Sequence, residues 1–237
     1  MKDNQALVII PTYQEAENIR LLIPDVLSQC PHVHILVVDD GSPDGTAGVV
    51  KNLPEFGSKI HILERQKKDG LGRAYLAGFK WGISHGYDYL IEMDADFSHR
   101  SIDLVKIVFE VKTNEFVVGS RWVVGGGTSN WSYFRKLISR GGSIYARLIL
   151  GYPLKDWTGG FNGWQKKVLE GIDLDNISSE GYSFQIELKY RALKHGFNGV
   201  EVPILFEERR VGMSKMSLGI VLEALYRVWG FRMRGGS

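Results

Sequence analysis

The chain has 237 residues, of which 44% are apolar and 24% are charged, with a formal net charge of +2. This ordinary globular composition and this length favour one large α/β domain over two small ones. Because the net charge is small, nothing in the overall charge attracts nucleic acid, although positive residues collect in the C-terminal third of the chain.

Strand and helix patterns alternate along the first half of the chain. Apolar runs predict strands in "ALVII", "HVHILVV", "KIHILER", "YDYLIEMDAD" and "FVVGSRWV", and apolar residues at helical spacing fill the segments between them. Pro24 lies in the middle of the first of these helices, where a proline is unfavourable, and the second, short helix is predicted to open with a cap at Asp44 or Thr46. This alternation predicts an α/β fold with a mostly parallel sheet flanked by helices.

The second half of the chain is less regular. A glycine-rich loop, "GGGTSNW", precedes a basic amphipathic helix, and "DWTGGFNGWQKKVLEGI" combines a turn with the start of a helix. A further helix, "YSFQIELKYRALKHG", is followed by a strand, "VEVPILFEERR", that enters a basic loop. The segment "SLGIVLEALYRVWGF" predicts a terminal amphipathic helix, and the final "GGS" has the composition of a linker.

Polar residues follow four of the predicted strands. They form the groups Pro11-Thr12-Tyr13, Asp39-Asp40, Asp94-Ala95-Asp96 and Gly119-Ser120-Arg121. In a parallel sheet, ligands bind at the carboxyl ends of the strands, which lie along one edge. We therefore expect these four groups to form one binding site.

Asp94 and Asp96 stand at the end of a buried strand, where an uncompensated carboxylate is costly. Residues i and i+2 of a strand share a face, so both carboxylates can reach one ligand. Two hard oxygen donors suit Mg²⁺ or Mn²⁺, which commonly bind one or two carboxylates together with phosphate oxygens and water. The structural alternative is that Asp96 caps the next helix while Asp94 pairs with a lysine. The neighbouring polar groups favour the metal site.

The loops after the first two strands indicate a nucleotide site. Tyr13 offers a flat ring on which a base can stack, and Glu15 lies further along the same loop. Asp39 ends a buried strand and can accept hydrogen bonds from a base or a ribose, whereas Asp44 belongs to a turn. The role of Glu15 stays open, because a carboxylate in the first turn of a helix is also stabilised by the helix dipole.

Scattered basic residues complete the candidate site. Arg121 follows a strand, Arg135 begins a helix, and Arg209 and Lys215 belong to the loop "ERRVGMSK". Each alone is typical of a solvated surface, but beside a carboxylate pair they indicate a site for a diphosphate and a second anion.

Other function classes lack support in the sequence. The chain contains no G-x-S-x-G elbow and no P-loop lysine motif, which disfavours acyl hydrolysis and nucleoside triphosphate hydrolysis. The single cysteine, Cys30, excludes a disulfide framework and a multi-cysteine zinc site. With no signal-peptide pattern and no apolar run near the roughly 20 residues that span a bilayer, we expect a cytoplasmic protein, soluble or peripheral to a membrane.

A set of motifs occurs in one order over nearly the whole chain. They are "IIPTYQEAENI", "VVDDGSPDGT", "GLGRAYLAGF", "EMDADFSH", "VVGSRWV", "DWTGGFNGW", "GYSFQIEL" and "VEVPILFEER". In this set the chain resembles the glycosyltransferase family 2 enzymes of the GT-A fold, and more narrowly the polyprenol-phosphate (dolichol-phosphate) mannose synthases. The resemblance implies metal-dependent transfer of mannose from GDP-mannose to a membrane polyprenyl phosphate, with inversion at the anomeric carbon. It also implies peripheral contact with the cytoplasmic face of a membrane and, in some members, a fused or separate membrane subunit.

The resemblance assigns roles to residues of the nucleotide site. Pro11, Tyr13 and Glu15 match positions that line the nucleotide. Val37 and Asp39 match positions that contact its base and ribose. These five residues are the expected wall on the nucleotide side.

The resemblance also assigns the metal site. Asp94, Ala95 and Asp96 match the segment that binds the metal and the sugar phosphate. Some relatives bind the metal through a glutamine at the position of Ser98, and serine also occurs there in family members. Ser98 is therefore a candidate third ligand, alongside the carboxylate pair.

The basic residues match two further positions of the family. Arg121 and Arg135 match residues near the acceptor phosphate, and Arg209 and Lys215 match a flexible loop that closes over the donor phosphates. An acceptor phosphate is already anionic at neutral pH, so no dedicated general base is expected. The protein would mainly position two anionic groups and stabilise the leaving diphosphate.

The expected organisation is a GT-A catalytic domain over residues 1–215, an amphipathic helix over 216–234 and a linker remnant over 235–237. The helix fits either an anionic membrane interface or packing on the domain, and both can hold at once. One alternative function is transfer of glucose from UDP-glucose to a polyprenyl phosphate. Another is a non-catalytic module that binds a nucleotide sugar, against which the intact carboxylate pair and basic loop argue.

Overall fold

The structure is a computed structural model, and it describes residues 5–177, 179, 181–208 and 226–233. The strands are β1 (Ala6–Thr12), β2 (His34–Asp39), β3 (Ile60–Glu64), β4 (Tyr89–Glu92), β5 (Phe116–Ser120), β6 (Gly127–Thr128), β7 (Asn162–Gln165), β8 (Gly199–Pro203) and β9 (Leu205–Phe206). The helices are α1 (Ala16–Gln29), α2 (Thr46–Lys51), α3 (Leu71–Ser84), α4 (Ser101–Glu110), α5 (Tyr133–Leu150), α6 (Lys166–Gly171) and α7 (Gly181–Lys194). A short 3₁₀ helix spans Leu174–Asn176.

The strands form one large sheet in the order β3-β2-β1-β4-β7-β5-β8, and β6 pairs with β9 in a small second sheet. All pairs in the large sheet are parallel except those of β7, which runs antiparallel to β4 and β5. The carboxyl ends of β1, β2, β4 and β5 therefore lie along one edge, together with the first residue of β7. The mostly parallel sheet flanked by helices, predicted from the sequence, is confirmed.

Helices cover both faces of the large sheet, which is why its central strands are continuous apolar runs. In β1, Leu7 and Ile9 face a core cluster shared with α3, α5 and α7. Val8 and Ile10 point the other way, into a cluster shared with α1 and α4. The alternation of side chains along a strand thus supplies two separate cores.

The segment Asn162–Gln165 forms strand β7, where a turn followed by a helix was predicted. A Cβ atom on Gly163 would lie 2.8 Å from Cγ2 of Ile107, so the glycine lets α4 approach the strand closely. The same glycine, next to Asn162, gives the segment the composition of a turn. The prediction was wrong because this glycine serves a close approach inside the sheet.

Helix α1 continues through Pro24, as the helical spacing of this segment predicted. One smaller prediction, about the start of a helix, is wrong. Helix α2 begins after Gly45, which has φ +83°, so its N-cap is this glycine and neither Asp44 nor Thr46. A left-handed residue is needed at this position, and glycine adopts it without a steric penalty.

The predictions for the C-terminus lie largely outside the described residues. The boundary at residue 215, most of the predicted helix over 216–234 and the remnant over 235–237 stay predictions. Residues 226–233 are helical, and Val228, only 1% exposed, packs into the core cluster shared with α3 and α7. Among the described residues, no helix has both the length and the apolarity needed to cross a bilayer.

Candidate functional site

A cavity of about 430 Å³ opens at the carboxyl edge of the large sheet. Its walls come from the loops after β1 and β4, the starts of α3 and α7, the segment before β7 and the region between β5 and α5. Several predicted site residues line it, namely Pro11, Tyr13, Glu15, Asp94, Ala95, Asp96, Arg121 and Arg135. The fold therefore brings together polar groups from distant parts of the sequence.

Three other predicted residues are buried and do not line the cavity. Val37 is fully buried in the apolar cluster under α1 and α4. Asp39 is 2% exposed and accepts hydrogen bonds from the Thr12 hydroxyl at 2.8 Å and from the Ser42 amide at 2.9 Å. Ser98 is also fully buried. The predicted contacts of Val37 and Asp39 to a base and a ribose stay predictions.

The two carboxylates after β4 are held by different partners. Oδ1 of Asp94 accepts a hydrogen bond from the hydroxyl of Tyr75 at 3.0 Å. Oδ1 of Asp96 accepts one from the Ser98 amide at 3.0 Å, which closes a local turn. Helix α4 begins after Arg100, and no side chain caps it. The structural alternative in which Asp96 caps this helix is therefore wrong.

Negative charge is concentrated around this turn. Burial, together with the charges of Asp94, Glu92 and Asp96, raises the pKa of Tyr75 well above its usual range. The Tyr75 hydroxyl therefore stays protonated and donates to Asp94. A cation bound between the carboxylates would relieve this concentration of negative charge.

The donor set of this turn fits a divalent ion that shares its coordination with a ligand. In the part of the chain that the structure describes, no three His, Cys, Asp or Glu side chains are grouped to hold a metal. Mg²⁺ and Mn²⁺ commonly bind one or two carboxylates and fill their shells with phosphate oxygens and water, so Asp94 and Asp96 suffice. Oγ of Ser98 is buried without a hydrogen-bond partner among the described residues, so no neighbouring group there competes for this oxygen.

An aromatic ring and a cation form the wall after β1. The ammonium group of Lys68 lies 3.9 Å from the centroid of the Tyr13 ring, and both residues line the cavity. Glu15, beside them, accepts a hydrogen bond from Nδ2 of Asn18 at 2.6 Å. An anionic ligand with a flat base would meet both a stacking surface and a positive charge here.

The turn after β2 fixes the backbone of this wall. Oxygens of Ser42, Thr46 and Asp44 accept hydrogen bonds from the three consecutive amides of residues 14–16, at 2.9, 3.1 and 3.1 Å. From the sequence, Asp44 was expected to belong to a plain turn. In the structure, the turn also acts as a scaffold that holds the loop carrying Tyr13.

Arg121, at the end of β5, is 4% exposed and lines the cavity. It donates hydrogen bonds to the carboxylate of Asp156 and to the hydroxyl of Thr158. Burial alone would raise the pKa of Asp156, but the Arg121 guanidinium outweighs burial and holds this pKa below its usual range. Within the described residues, Nη1 of Arg121 has no hydrogen-bond acceptor, so only this nitrogen remains for a ligand.

Arg135 lies on the same side of the cavity, in the first turn of α5. Its guanidinium stands 4.0 Å over the ring of Trp131, and its Nη1 lies 3.5 Å from Oε1 of Glu208. The loop predicted to close over the donor, with Arg209 and Lys215, lies outside the described residues.

Several residues that line the cavity were not predicted, among them Lys68, His99, Trp131, Thr158 and Gln185. Asp40, which also lines it, belongs to one of the four polar groups expected at this edge. Nδ1 of His99 accepts a hydrogen bond from the Asp94 amide at 3.0 Å, so its proton lies on Nε2. The proximity of His99 to the carboxylate pair in sequence was the one signal available for it. The others give no local signal, because helix and loop patterns do not indicate which residue reaches a distant strand edge.

Two buried ionisable groups lie beneath the cavity floor. Burial raises the pKa of Glu92, at the end of β4, to about 7. Burial lowers the pKa of Lys189, on α7, to about 8. The Lys189 ammonium donates to three main-chain oxygens of the segment 156–159, at 3.2, 3.2 and 2.7 Å. This segment includes Thr158, so Lys189 fixes part of the cavity wall.

Comparisons with known proteins agree with this geometry. Residues 7–172 match the family model described as glycosyl transferase family 2. The polyprenol monophosphomannose synthase of Mycolicibacterium smegmatis is 47% identical over 234 residues, which cover 97% of this chain and 88% of that protein. The undecaprenyl-phosphate mannosyltransferase of Micrococcus luteus is 46% identical over 232 residues, covering 97% of this chain and 96% of that protein.

Solved structures with the same fold include glucosyl-3-phosphoglycerate synthase from Mycobacterium tuberculosis. Its complex with Mn²⁺, uridine diphosphate and phosphoglyceric acid superposes with a TM-score of 0.68, at 15% identity, over 98% of this chain and 78% of that chain. Its complex with uridine diphosphate alone gives a TM-score of 0.64 at 15% identity, over 98% of this chain and 79% of that chain. At this identity the likeness concerns the fold, which is of the GT-A type.

Proposed function

This chain belongs to glycosyl transferase family 2, and we propose that it transfers mannose from GDP-mannose to a polyprenyl monophosphate, with inversion at the anomeric carbon. The product would be a polyprenyl-phosphate mannose. The names of two relatives, each matched over 97% of this chain, support the mannosyl group and the lipid phosphate acceptor.

One observation in the structure carries the proposal. A single cavity is lined by the aromatic ring of Tyr13, by the carboxylates of Asp94 and Asp96, and by Arg121 and Arg135. A nucleotide sugar needs a surface for its base and a site for its diphosphate, and a phosphate acceptor needs a second cationic site. Along the sheet edge these residues follow β1, β4 and β5, whose order supports a base, a diphosphate and an acceptor phosphate bound side by side.

The residues after β4 would hold the donor diphosphate through a divalent ion. When bound to Asp94 and Asp96, with Ser98 as a candidate third ligand, Mg²⁺ or Mn²⁺ would neutralise the diphosphate as it leaves the sugar. Bound Mn²⁺ in the solved structure of glucosyl-3-phosphoglycerate synthase supports a divalent ion in this fold. Lys68, beside Tyr13, would add a positive charge on the nucleotide side.

The acceptor phosphate would attack without a dedicated general base, because it is anionic at neutral pH. A bond would form between its oxygen and the anomeric carbon, while the bond from that carbon to the diphosphate breaks. The protein must then hold two anions close together, and Arg135 with Nη1 of Arg121 would hold the incoming one. Arg209 and Lys215 are proposed to close over the donor phosphates.

A surface on α5 supports contact with the cytoplasmic face of a membrane, where a polyprenyl phosphate would be found. Basic residues accompany apolar side chains that are at least 40% exposed, namely Tyr133, Phe134, Leu137, Ile138, Ile144 and Leu148. The basic residues on this helix include Lys136, Arg140 and Arg147. Such a helix can lie on an anionic lipid surface. Because α5 also carries Arg135, a lipid held there would present its phosphate near the cavity.

The proposal is tested by a transfer assay with purified protein. GDP-mannose labelled in the sugar, a short-chain polyprenyl phosphate and Mg²⁺ or Mn²⁺ should give label that extracts into chloroform. Asp96→Ala should lower the rate at least about 100-fold, since ion-mediated stabilisation of the leaving group is worth several kcal/mol. Asp25→Ala, at an exposed carboxylate of α1, serves as the control and should leave the rate unchanged. Near-normal transfer by Asp96→Ala would reject the metal assignment.

A further inference from the structure

We infer that Gln185 contacts the hydroxyl groups of the transferred sugar, and that Glu92 and Asn162 position its amide for this contact. The inference rests on the proposed transfer from a nucleotide sugar, and it concerns residues that the preceding mechanism does not use. Gln185 is 4% exposed, lies in the second turn of α7 and lines the cavity.

The order of the strands indicates where a transferred sugar would lie. At the carboxyl edge, Asp94 and Asp96 follow β4, Arg121 follows β5, and β7 lies between these two strands. A sugar in transfer is joined to the donor diphosphate and faces the acceptor phosphate. It would therefore lie between the carboxylate pair and the arginines, over Asn162, the first residue of β7.

Gln185 reaches this part of the edge from the helix layer. Its Oε1 accepts a hydrogen bond from Nδ2 of Asn162 at 2.8 Å. Its Nε2 lies 3.5 Å from the position that a Cβ atom on Gly160 would occupy. Because Gly160 carries no side chain, the space beside the amide remains open to a ligand.

Glu92 fixes the orientation of the Gln185 side-chain amide. Its carboxylate accepts hydrogen bonds from Nε2 of Gln185, from Nε1 of Trp164 at 2.7 Å and from Nδ2 of Asn162 at 3.2 Å. Because the Glu92 oxygens accept all three of these N–H groups, the NH₂ end of the Gln185 amide is the one directed towards Glu92. Asn162 donates to the oxygen, so both ends of the amide are assigned by the same network.

The hydrogen-bonding capacity left on Gln185 matches a hydroxyl group. The amide has two N–H donors and two lone pairs, and its neighbours use one of each. No other described residue forms a hydrogen bond with this amide, so one donor and one acceptor remain, which suits a sugar hydroxyl that both accepts and donates. A buried polar group of fixed direction also discriminates strongly, because a sugar with a misplaced hydroxyl leaves it unpaired.

The wall around Gln185 is rigid enough to preserve this direction. Lys189 lies one helical turn further along α7 and holds the main-chain oxygens of the segment 156–159. The nearby hydroxyl of Thr158 already accepts a hydrogen bond from Nη2 of Arg121 at 2.8 Å. Among the described side chains of this wall, Gln185 therefore has its donor and its acceptor directed by neighbours and still has one of each free to bind a ligand.

Binding of epimeric donors tests the inference. Calorimetry with GDP, GDP-mannose and GDP-glucose would compare the wild-type protein with Gln185→Ala. We expect the wild type to prefer one epimer, and Gln185→Ala to reduce this preference roughly tenfold, the scale of one lost polar contact. The affinity for GDP, which has no sugar, should change by less than about twofold. A wild-type preference retained in Gln185→Ala, or no preference in the wild type, would overturn the inference.

A second variant, which keeps Gln185, tests whether Glu92 positions the Gln185 amide. Glu92→Gln keeps the side-chain volume but offers an NH₂ group where the carboxylate accepted, so it should also weaken the preference while leaving GDP affinity unchanged. Gln165→Ala is the matched control, since Gln165 donates to the Val111 carbonyl away from the cavity, and it should keep the preference. Thermal unfolding of each variant verifies that it is folded. If Glu92→Gln is folded and keeps the wild-type preference, the positioning role is wrong.

This design separates the inference from the proposed function. A wild-type protein that prefers one epimer but forms no lipid-linked mannose would contradict the proposed acceptor. The binding comparison would still decide the role of Gln185.

Discussion

Arg121, which lines the cavity, forms a bidentate ion pair with Asp156. Nε of Arg121 lies 2.7 Å from Oδ2 of Asp156, and Nη2 lies 2.6 Å from Oδ1. The side chains are 3% and 0% exposed. The Arg121 amide also donates to the same carboxylate at 3.0 Å, so the pair fixes the backbone at the end of β5 as well as the side chain.

The burial of this pair predicts a large difference between the two arginines of the site. Arg121→Ala leaves the Asp156 charge buried without its partner, and should lower the free energy of unfolding by about 3–5 kcal/mol. Arg135→Ala removes a contact with Glu208, whose side chain is 52% exposed, and the stacking contact with Trp131, and should cost about 1–2 kcal/mol. Denaturant titration of both variants measures the difference. If both variants lowered the free energy of unfolding equally, the pair of Arg121 and Asp156 would contribute no more to stability than a surface ion pair.

Arg135 is expected to matter for the acceptor more than for the donor. Arg135→Ala should lower kcat/KM for the polyprenyl phosphate by about 100-fold, the scale of a lost charge-assisted hydrogen bond. The affinity for GDP should stay within about twofold of the wild type. Arg20→Ala, at an exposed arginine of α1, is the control. If Arg135→Ala weakened GDP binding and left acceptor use intact, its assignment to the acceptor side would be rejected.

Lys189 predicts an alkaline change in stability. Burial lowers its pKa to about 8 in the folded protein, whereas the unfolded value is about 10.4. Between about pH 8 and about pH 10.4, Lys189 binds more protons in the unfolded chain than in the native one. Its contribution to the free energy of unfolding therefore rises with pH. Relative to Lys189→Met, the wild type should therefore gain about 1–3 kcal/mol between pH 8 and pH 10.

Urea titrations of both proteins at the two pH values provide the measurement. Lys194→Met, which removes an exposed lysine from the same helix, should show no such difference from the wild type. If the free energies of unfolding of the wild type and of Lys189→Met changed equally between pH 8 and pH 10, Lys189 would not titrate in this pH range.

The exposed face of α5 should bind lipid. A Phe134→Ser/Leu137→Ser variant removes two side chains that are 75% and 56% exposed, so the fold should tolerate it. Its binding to vesicles with anionic phospholipid should fall at least about tenfold, from the lost apolar burial. Leu21→Ser on α1, at a side chain 60% exposed, is the control. Unchanged sedimentation of the double variant with vesicles would exclude this face as the membrane contact.

The sequence predicted the features of this protein that depend on local patterns. Helices cover both faces of the sheet, so β1 and β2 are continuous apolar runs, and such runs indicate a parallel sheet. Because β4 is parallel to β1, Asp94 and Asp96 stand at the carboxyl edge of this sheet. Strand β7 was missed because the glycine that admits α4 also resembles a turn. Composition gives no way to separate these two uses of a glycine.

The parts of the site that depend on distant contacts were not predictable from the sequence. Arg121 binds Asp156, which lies 35 residues away in the sequence, and Gln185 donates a hydrogen bond to Glu92, which lies 93 residues away. No periodicity in the sequence indicates which helix residue meets which strand end. Arg121 alone therefore has the pattern of a surface cation, although the fold buries it.

The identity of the transferred sugar is the central claim, and a comparison of donors tests it most directly. The purified protein would be incubated with polyprenyl phosphate and a divalent ion, in parallel with GDP-mannose and with UDP-glucose, and the extracted lipid would be analysed by mass spectrometry. We predict a hexosyl-phosphate lipid from GDP-mannose and none from UDP-glucose. Product from UDP-glucose alone, or no lipid-linked sugar from either donor, would contradict the account.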